Sequence, residues 1–167
     1  MAITTEQIKE LRDLTGAGIM DCKRALEEAQ GDMKKASQAI MVAGIAKTEK
    51  KSDREASEGV VESYIHSGSR IGSLVELNCE TDFVSRLPEF KKLAHDLTMQ
   101  VAAMAPKYVD KSEMPDGDDS DPEVVCLMQQ SFIKDDSKVM QELVTELAAR
   151  VGENVRVKRF ARFALGD

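Results

Sequence analysis

An α+β protein in two parts is expected from three features of the 167-residue sequence. Before residue 45, apolar residues recur at helical spacing in three short segments punctuated by glycine. From residue 59 the period switches to two, as in strands. A long helical stripe and a basic, strand-like C-terminal segment follow. Together these describe a three-helix N-terminal domain (1–44), a charged linker (45–58), and an α+β core (59–167) in which a small antiparallel sheet packs with helices.

The first helix opens on a capping box, Thr4 with Gln7, and places Ile8, Leu11 and Leu14 on one face before Gly16. The second runs through DCKRALEEA, bringing Cys22, Leu26 and Ala29 together ahead of Gly31. The third opens at Asp32 as N-cap, carries Ala36, Ile40 and Met41, and ends before Gly44. Helices this short are marginal alone and must pack on each other. Basic and acidic residues then interleave between Lys47 and Glu58, as in a linker or a solvated helix.

In GVVESYIH, Val61, Ser63 and Ile65 share a face; in IGSLVELNC, Ile71, Val75, Leu77 and Cys79 do. The short loop between them makes a hairpin. Phe90, Leu93, Ala94, Leu97, Val101 and Met104 stripe a helix at about 88–105. Pro122 suits the first turn of a helix capped by Asp121, carrying Val124, Val125, Leu127 and Met128. Another helix is expected from near Ser137, aligning Val139, Leu143, Leu147 and Val151 up to Gly152. The strand NVRVKRFARFAL closes the chain, its faces slipping at Arg159–Phe160 as at a bulge or an exposed edge.

Composition excludes several classes. The net charge is −7, which opposes nucleic-acid binding unless a basic patch dominates locally. Such a patch exists in Arg156, Lys158, Arg159 and Arg162, interleaved with Phe160 and Phe163, but the same residues also protect a sheet edge. Cys22, Cys79 and Cys126 are far apart, as reduced thiols usually are. No apolar run reaches the ~20 residues of a membrane span. The start, MAITTEQIKEL, reads as a capped helix and not as a signal peptide, so a cytoplasmic protein, or a mature organellar form, is expected. His66 and His95 lack partners at metal-ligand spacing, and the acidic run 116–121 fails the calcium-loop pattern at Asp121. No phosphate-cradling glycine loop and no nucleophile–base constellation is present, so neither a cofactor, a metal nor a catalytic site is expected.

Two stretches stand apart. In TGAGIMDCKRAL (15–26), Ile19 and Met20 follow two glycines at a helix start; they either close the small core, which composition favours, or stand out as a contact knob. In NCETDFVS (78–85), strand alternation ends at Cys79 and Thr81-Asp82-Phe83-Val84 leads into the next helix. Phe83 and Val84 read there as a hydrophobic staple. Aromatics are only 4% of the chain, so the placement of Phe83 carries weight.

These two stretches together resemble the elongation factor Ts family, and RVGENVRVKRF (150–160) is a third match in the same order. The resemblance runs from residue 3 to about 165. It implies a UBA-like N-terminal domain, a core of the dimerisation type, and nucleotide exchange on elongation factor Tu during translation without catalytic residues. It further implies that Thr81, Asp82, Phe83 and Val84 form the loop that disturbs the partner's magnesium site. Phe83 would act as the wedge, while Asp82 would hold the loop or contact the partner's backbone. Arg12, Ile19, Met20 and Lys23 would be the N-terminal contacts, and Val151 and Gly152 would lie beside the phosphate loop. Ile19 stands where Met is common and Glu80 where Gln is common. Longer members carry two core subdomains and a coiled-coil insertion; this chain has room for one core, and an exposed sheet edge would let two chains pair as a homodimer. The competing readings are an adaptor using the three-helix domain and an RNA-binding factor using the last strand.

Overall fold

The computed structural model describes residues 3–167, without the side chain of Glu49. Its elements are α1 (Thr5–Thr15), α2 (Ile19–Glu28), α3 (Met33–Glu49), β1 (Glu58–Ile65), β2 (Ile71–Cys79), α4 (Asp82–Ser85), α5 (Pro88–Met104), α6 (Pro122–Val125), β3 (Ser131–Phe132), β4 (Asp135–Val139), α7 (Met140–Val151) and β5 (Arg156–Ala164). The fold is α+β. Two compact units emerge: the chain up to Asp53 with Glu146–Glu153, and Arg54–Thr145 with Asn154–Asp167.

In the first unit, local sequence dictates the helix ends. Thr4 and Gln7 close a reciprocal capping box on α1, and Asp32 accepts the Lys35 amide at 3.0 Å to start α3. Gly16 ends α1 in the left-handed conformation that other residues avoid. Leu11, Cys22, Ala25, Leu26 and Ala36 form the core, with Ile8 and Ile40 against it. Leu14 does not join them and is exposed. The third helix also departs from expectation: it runs through Gly44 and takes in the first residues of the charged segment. Gly44 is not a stop signal. A Cβ there would sit 3.0 Å from the Ala149 side chain, so glycine lets two helix surfaces approach closely.

The second unit is built on a three-stranded antiparallel sheet in the order β1–β2–β5. Val75, Leu77 and Cys79 of β2 are buried under Phe90, Ala94, Leu97 and Val101 of α5. Ser73 lies on the same face and donates to the Thr98 carbonyl at 2.7 Å, so the buried hydroxyl is satisfied. Val61, Ser63 and Ile65 do share a face, but it is the other one: they pair with Glu76, Leu74 and Gly72 on the side away from α5. The register of β5 breaks where Glu76 faces Arg159 and Leu77 faces Val157. Lys158 is therefore the extra residue of a bulge, just before the slip seen in the sequence.

Two elements differ from their sequence reading. Leu127 and Met128 leave α6, because their amides bond instead to the carbonyls of Tyr108 (2.9 Å) and Val109 (3.0 Å). Residues 137–139, read as the start of a helix, belong instead to β4, which pairs with β3 in a second hairpin; α7 begins only at Met140. That hairpin is polar and lacks alternation, so nothing in its own sequence announces it. Polar residues on α5 hold it. Gln100 donates to the Ser131 carbonyl at 3.0 Å and accepts the Ile133 amide at 3.0 Å. The nearly buried Asp96 accepts from Lys134 at 2.6 Å and Lys92 at 2.9 Å.

Burial of the Asp96 carboxyl favours its protonated form, but the hydrogen bonds from Lys134 and Lys92 outweigh this and hold its pKa below the usual carboxylate value. A lowered folded pKa stabilises the fold above the unfolded value, near ~3.9, and the gain disappears as pH falls through the folded pKa. Asp96→Asn should therefore lose about 1–2 kcal/mol in urea titrations at neutral pH. The difference between the two proteins should shrink as the pH falls through the folded pKa of Asp96, which lies below its unfolded value.

Candidate functional site

The strand β2 delivers its C-terminal end to a short, tightly braced turn. Buried Cys79 donates its thiol to the Thr81 carbonyl at 3.1 Å. Thr81 is extended and forms the N-cap position of α4, without a side-chain cap bond. The Ser85 hydroxyl donates to the Asp82 carbonyl at 2.9 Å, and the Leu87 amide closes on Val84 at 3.0 Å. Pro88 then begins α5 at once. Val84 is buried, whereas Phe83 beside it is 76% exposed. The staple expectation is thus half right: Val84 anchors the turn and Phe83 points away from it. A phenyl ring left in water at the tip of an ordered turn forgoes about 1.5–3 kcal/mol of burial.

Asp82 pairs with Arg86 at 2.7 Å, one helical turn on, with Arg86 exposed and Asp82 half-exposed. An exposed pair of this kind is worth little, so the carboxylate can exchange Arg86 for another donor at small cost. Arg86 escaped the sequence reading, though its i,i+4 spacing from Asp82 was the available signal.

The remaining predicted residues lie in the first unit. Ile19 and Met20 open α2 and are 55% and 73% exposed, so they form a knob and do not close the core, as composition had favoured. The core there is formed by Leu11, Cys22, Ala25, Leu26 and Ala36. Lys23 is exposed one turn later and reaches Glu27 at 3.8 Å. Arg12 sits exposed in the last turn of α1, where its charge also favours the helix end. Val151 and Gly152 line a cavity of about 350 Å³ with the Thr15–Gly18 turn, so the TGAG motif and the end of α7 meet. The Gly152 carbonyl accepts from Lys51 at 2.6 Å.

The other chemical cues resolve into structure. Lys158 and Arg159 bond Glu76, at 3.4 and 2.7 Å; the Arg159 hydrogen bond holds the Glu76 carboxyl below its usual pKa. Arg162 is engaged by the Ala102 carbonyl and by Asp167. Glu76 and Asp167 thus offset part of the strand's positive charge from within the chain. His66 bonds Tyr64, and His95 lies 3.5 Å from Glu62. The acidic loop uses Asp110, Asp118 and Asp121 to cap the amides of Ser112, Ser120 and Glu123. Among the described residues, no helix is long and apolar enough to cross a membrane.

The model of the family described as Elongation factor TS matches residues 2–118. Curated proteins named Elongation factor Ts align over essentially the whole chain. That of Syntrophomonas wolfei is 47% identical, over 99% of this chain and 91% of its own length. That of Carboxydothermus hydrogenoformans is 45% identical, over 99% and 90%. That of Thermotoga neapolitana is 42% identical, over 100% and 99%. The chain belongs to the elongation factor Ts family. It is thus a translation elongation factor of the Ts type. Each alignment extends over 195 positions against 167 residues here, so these Ts proteins carry internal segments with no counterpart in this chain.

The opposite burial of two neighbouring residues makes a direct test. Val84→Ala should cost roughly 2 kcal/mol in denaturant titrations, from lost burial and the space left behind. Phe83→Ala should stay within about 0.5 kcal/mol of the parent.

Proposed function

We propose that this chain is a guanine nucleotide exchange factor that binds elongation factor Tu carrying GDP and promotes GDP release. The observation that carries this reading is the exposed Phe83 on a turn fixed by buried Cys79 and Val84. Exchange needs no acid, base or nucleophile. It needs a surface that fits the nucleotide-free partner better than the nucleotide-bound one, and linkage then requires nucleotide to be weakened by the same factor. A preorganised aromatic suits this task, because little conformational entropy is lost when it enters a crevice. Thr81 and Val84 set the turn, Phe83 is the wedge that disturbs the magnesium site, and Asp82 exchanges Arg86 for a partner donor. Ile19 and Met20, flanked by Arg12 and Lys23, supply a second contact, and Val151 with Gly152 supplies the phosphate-loop contact.

The partner set of this reading extends to a second copy of the chain. The sheet face away from α5 exposes Val61, Ile65, Leu74 and Phe163, around a hollow of about 480 Å³ bordered by the last three. Glu76 and Arg159 lie on the same face, so two copies facing each other match apolar and charged groups symmetrically. The face is better suited than the edge, since the Lys158 bulge interrupts the edge ladder.

Two measurements test the reading. The chain should accelerate release of a fluorescent GDP from elongation factor Tu in Mg²⁺ buffer. Phe83→Ala should lower that acceleration about 30-fold, the equivalent of ~2 kcal/mol at a hot spot, with its far-ultraviolet spectrum unchanged; full activity in the variant would remove Phe83 from the mechanism. In sedimentation, the chain should behave as a dimer that Phe163→Asp converts to a folded monomer, and a monomeric parent would rule out the pairing.

A further inference from the structure

The turn that carries Asp82 and Phe83 is preceded by a charged residue whose side chain does not face solvent freely. The Glu80 carboxylate accepts the backbone N–H of Asn154 at 2.7 Å and the Arg54 guanidinium at 3.4 Å. The Asn154 side-chain amide, itself buried, donates to the Arg54 carbonyl at 2.8 Å. These three residues stand just before β1, just after β2 and just before β5. In the antiparallel order β1–β2–β5, those positions all fall at one end of the sheet. Glu80 is the central member and bridges both flanking strands where they enter.

We infer that Glu80, with Asn154 and Arg54, is a positioning clamp that holds the Thr81–Val84 turn in its partner-competent pose; this rests on the exchange reading above. The physical case has two parts. First, the turn follows the last residue of β2 directly, so no further ladder bond constrains it beyond Cys79. The bonds of Ser85 to the Asp82 carbonyl and of Leu87 to the Val84 carbonyl close the turn on itself, whereas Glu80 ties it to a neighbouring strand. Second, a carboxylate accepting a backbone N–H at 2.7 Å is a strong, directional restraint. It acts on β5, the neighbouring strand, and so ties the turn to the sheet as a whole. Arg54 is the weaker member: its side chain is more than half exposed, and its bond to Glu80 is long. Its backbone carbonyl, not its charge, is what Asn154 uses.

A positioning role leaves a distinct kinetic trace. If the turn visits the competent pose only part of the time, the half-saturating concentration rises in inverse proportion to that fraction, while the plateau is kept. Removing the wedge itself does the reverse. The experiment compares the full chain with Glu80→Ala, Glu80→Gln and Arg54→Met, by amide hydrogen exchange in the free protein and by GDP release from elongation factor Tu. In Glu80→Ala, amide exchange across 81–87 should rise at least about 10-fold, with the centres of β2 and α5 unchanged. The half-saturating concentration should rise about 10-fold and the plateau should hold. Glu80→Gln keeps an oxygen for the Asn154 amide and should restore both readouts to within about threefold, as should Arg54→Met. Unchanged protection of 81–87 in Glu80→Ala overturns the clamp. A fallen plateau at unchanged half-saturation also overturns it and makes Glu80 a direct contact. If the parent accelerates no release while Glu80→Ala still loosens 81–87, the exchange reading fails and the anchoring stands.

Discussion

The packing of one face of β2 under α5 is the constraint on which the second unit depends. Val75, Leu77 and Cys79 are fully buried there against Phe90, Ala94, Leu97 and Val101. Burial of that many apolar side chains contributes on the order of 10 kcal/mol, before the entropy of ordering is subtracted. It fixes the register, since a one-residue slip of β2 would turn its apolar set to solvent. It also fixes where the strand ends. Cys79 is the last residue whose side chain the helix covers, and the chain must reverse within nine residues to begin α5 at Pro88. The Asp82–Phe83 turn is the product of that geometry. Its rigidity follows from the core on either side, and its exposure follows from having no second layer above it.

The same constraint leaves the opposite face of the sheet uncovered. A three-stranded sheet has two faces, and in this unit a single long helix lies against one of them. The exposed Val61, Ile65, Leu74 and Phe163 are therefore a consequence of chain length as much as of sequence. This is where period-two reasoning reached its limit. Alternation in β1 correctly grouped Val61, Ser63 and Ile65, but it cannot say which of two faces meets the helix. Strand pairing decides that, through Val61 opposite Glu76 and Ile65 opposite Gly72.

Elements governed by local chemistry were legible: the Thr4–Gln7 capping box, the Asp32 and Asp121 caps, the β1–β2 hairpin, the α5 stripe and the break in β5. Those governed by contacts distant in sequence were not. Gly44 carries the sequence signature of a helix stop, yet its role is set by Ala149, more than a hundred residues on. The β3–β4 hairpin is held by Gln100 and Asp96, polar residues buried on α5. The candidate site divides in the same way. Thr81–Val84 could be located from motif order, and Val84 as an anchor from its neighbours. That Ile19 and Met20 lie outside the core, which Leu11, Cys22 and Leu26 occupy, is set by how the three helices pack on one another. The Glu80–Asn154 bond joins residues 74 positions apart and has no local signal at all.

Rigid support and an exposed tip are both required by the thermodynamics of exchange, and they pull against each other. Only the difference in fit between the two states of a partner can drive release of its nucleotide. A flexible wedge would bind both states by adapting to each, and would discriminate weakly. A wedge held by its own core would be rigid but buried. The arrangement here separates the two demands onto adjacent residues: Val84 inward, Phe83 outward, with the Cys79 thiol and Ser85 hydroxyl holding the Thr81 and Asp82 carbonyls beside them. Asp82 shows the same division. Its carbonyl holds the turn through Ser85, while its carboxylate rests in an exposed pair with Arg86 that water already screens. On the exchange reading, a partner would therefore meet a fixed backbone, one uncompensated ring and one carboxylate released at little cost. On that reading, no nucleophile or base is needed to alter the rate at which another protein lets go of its ligand.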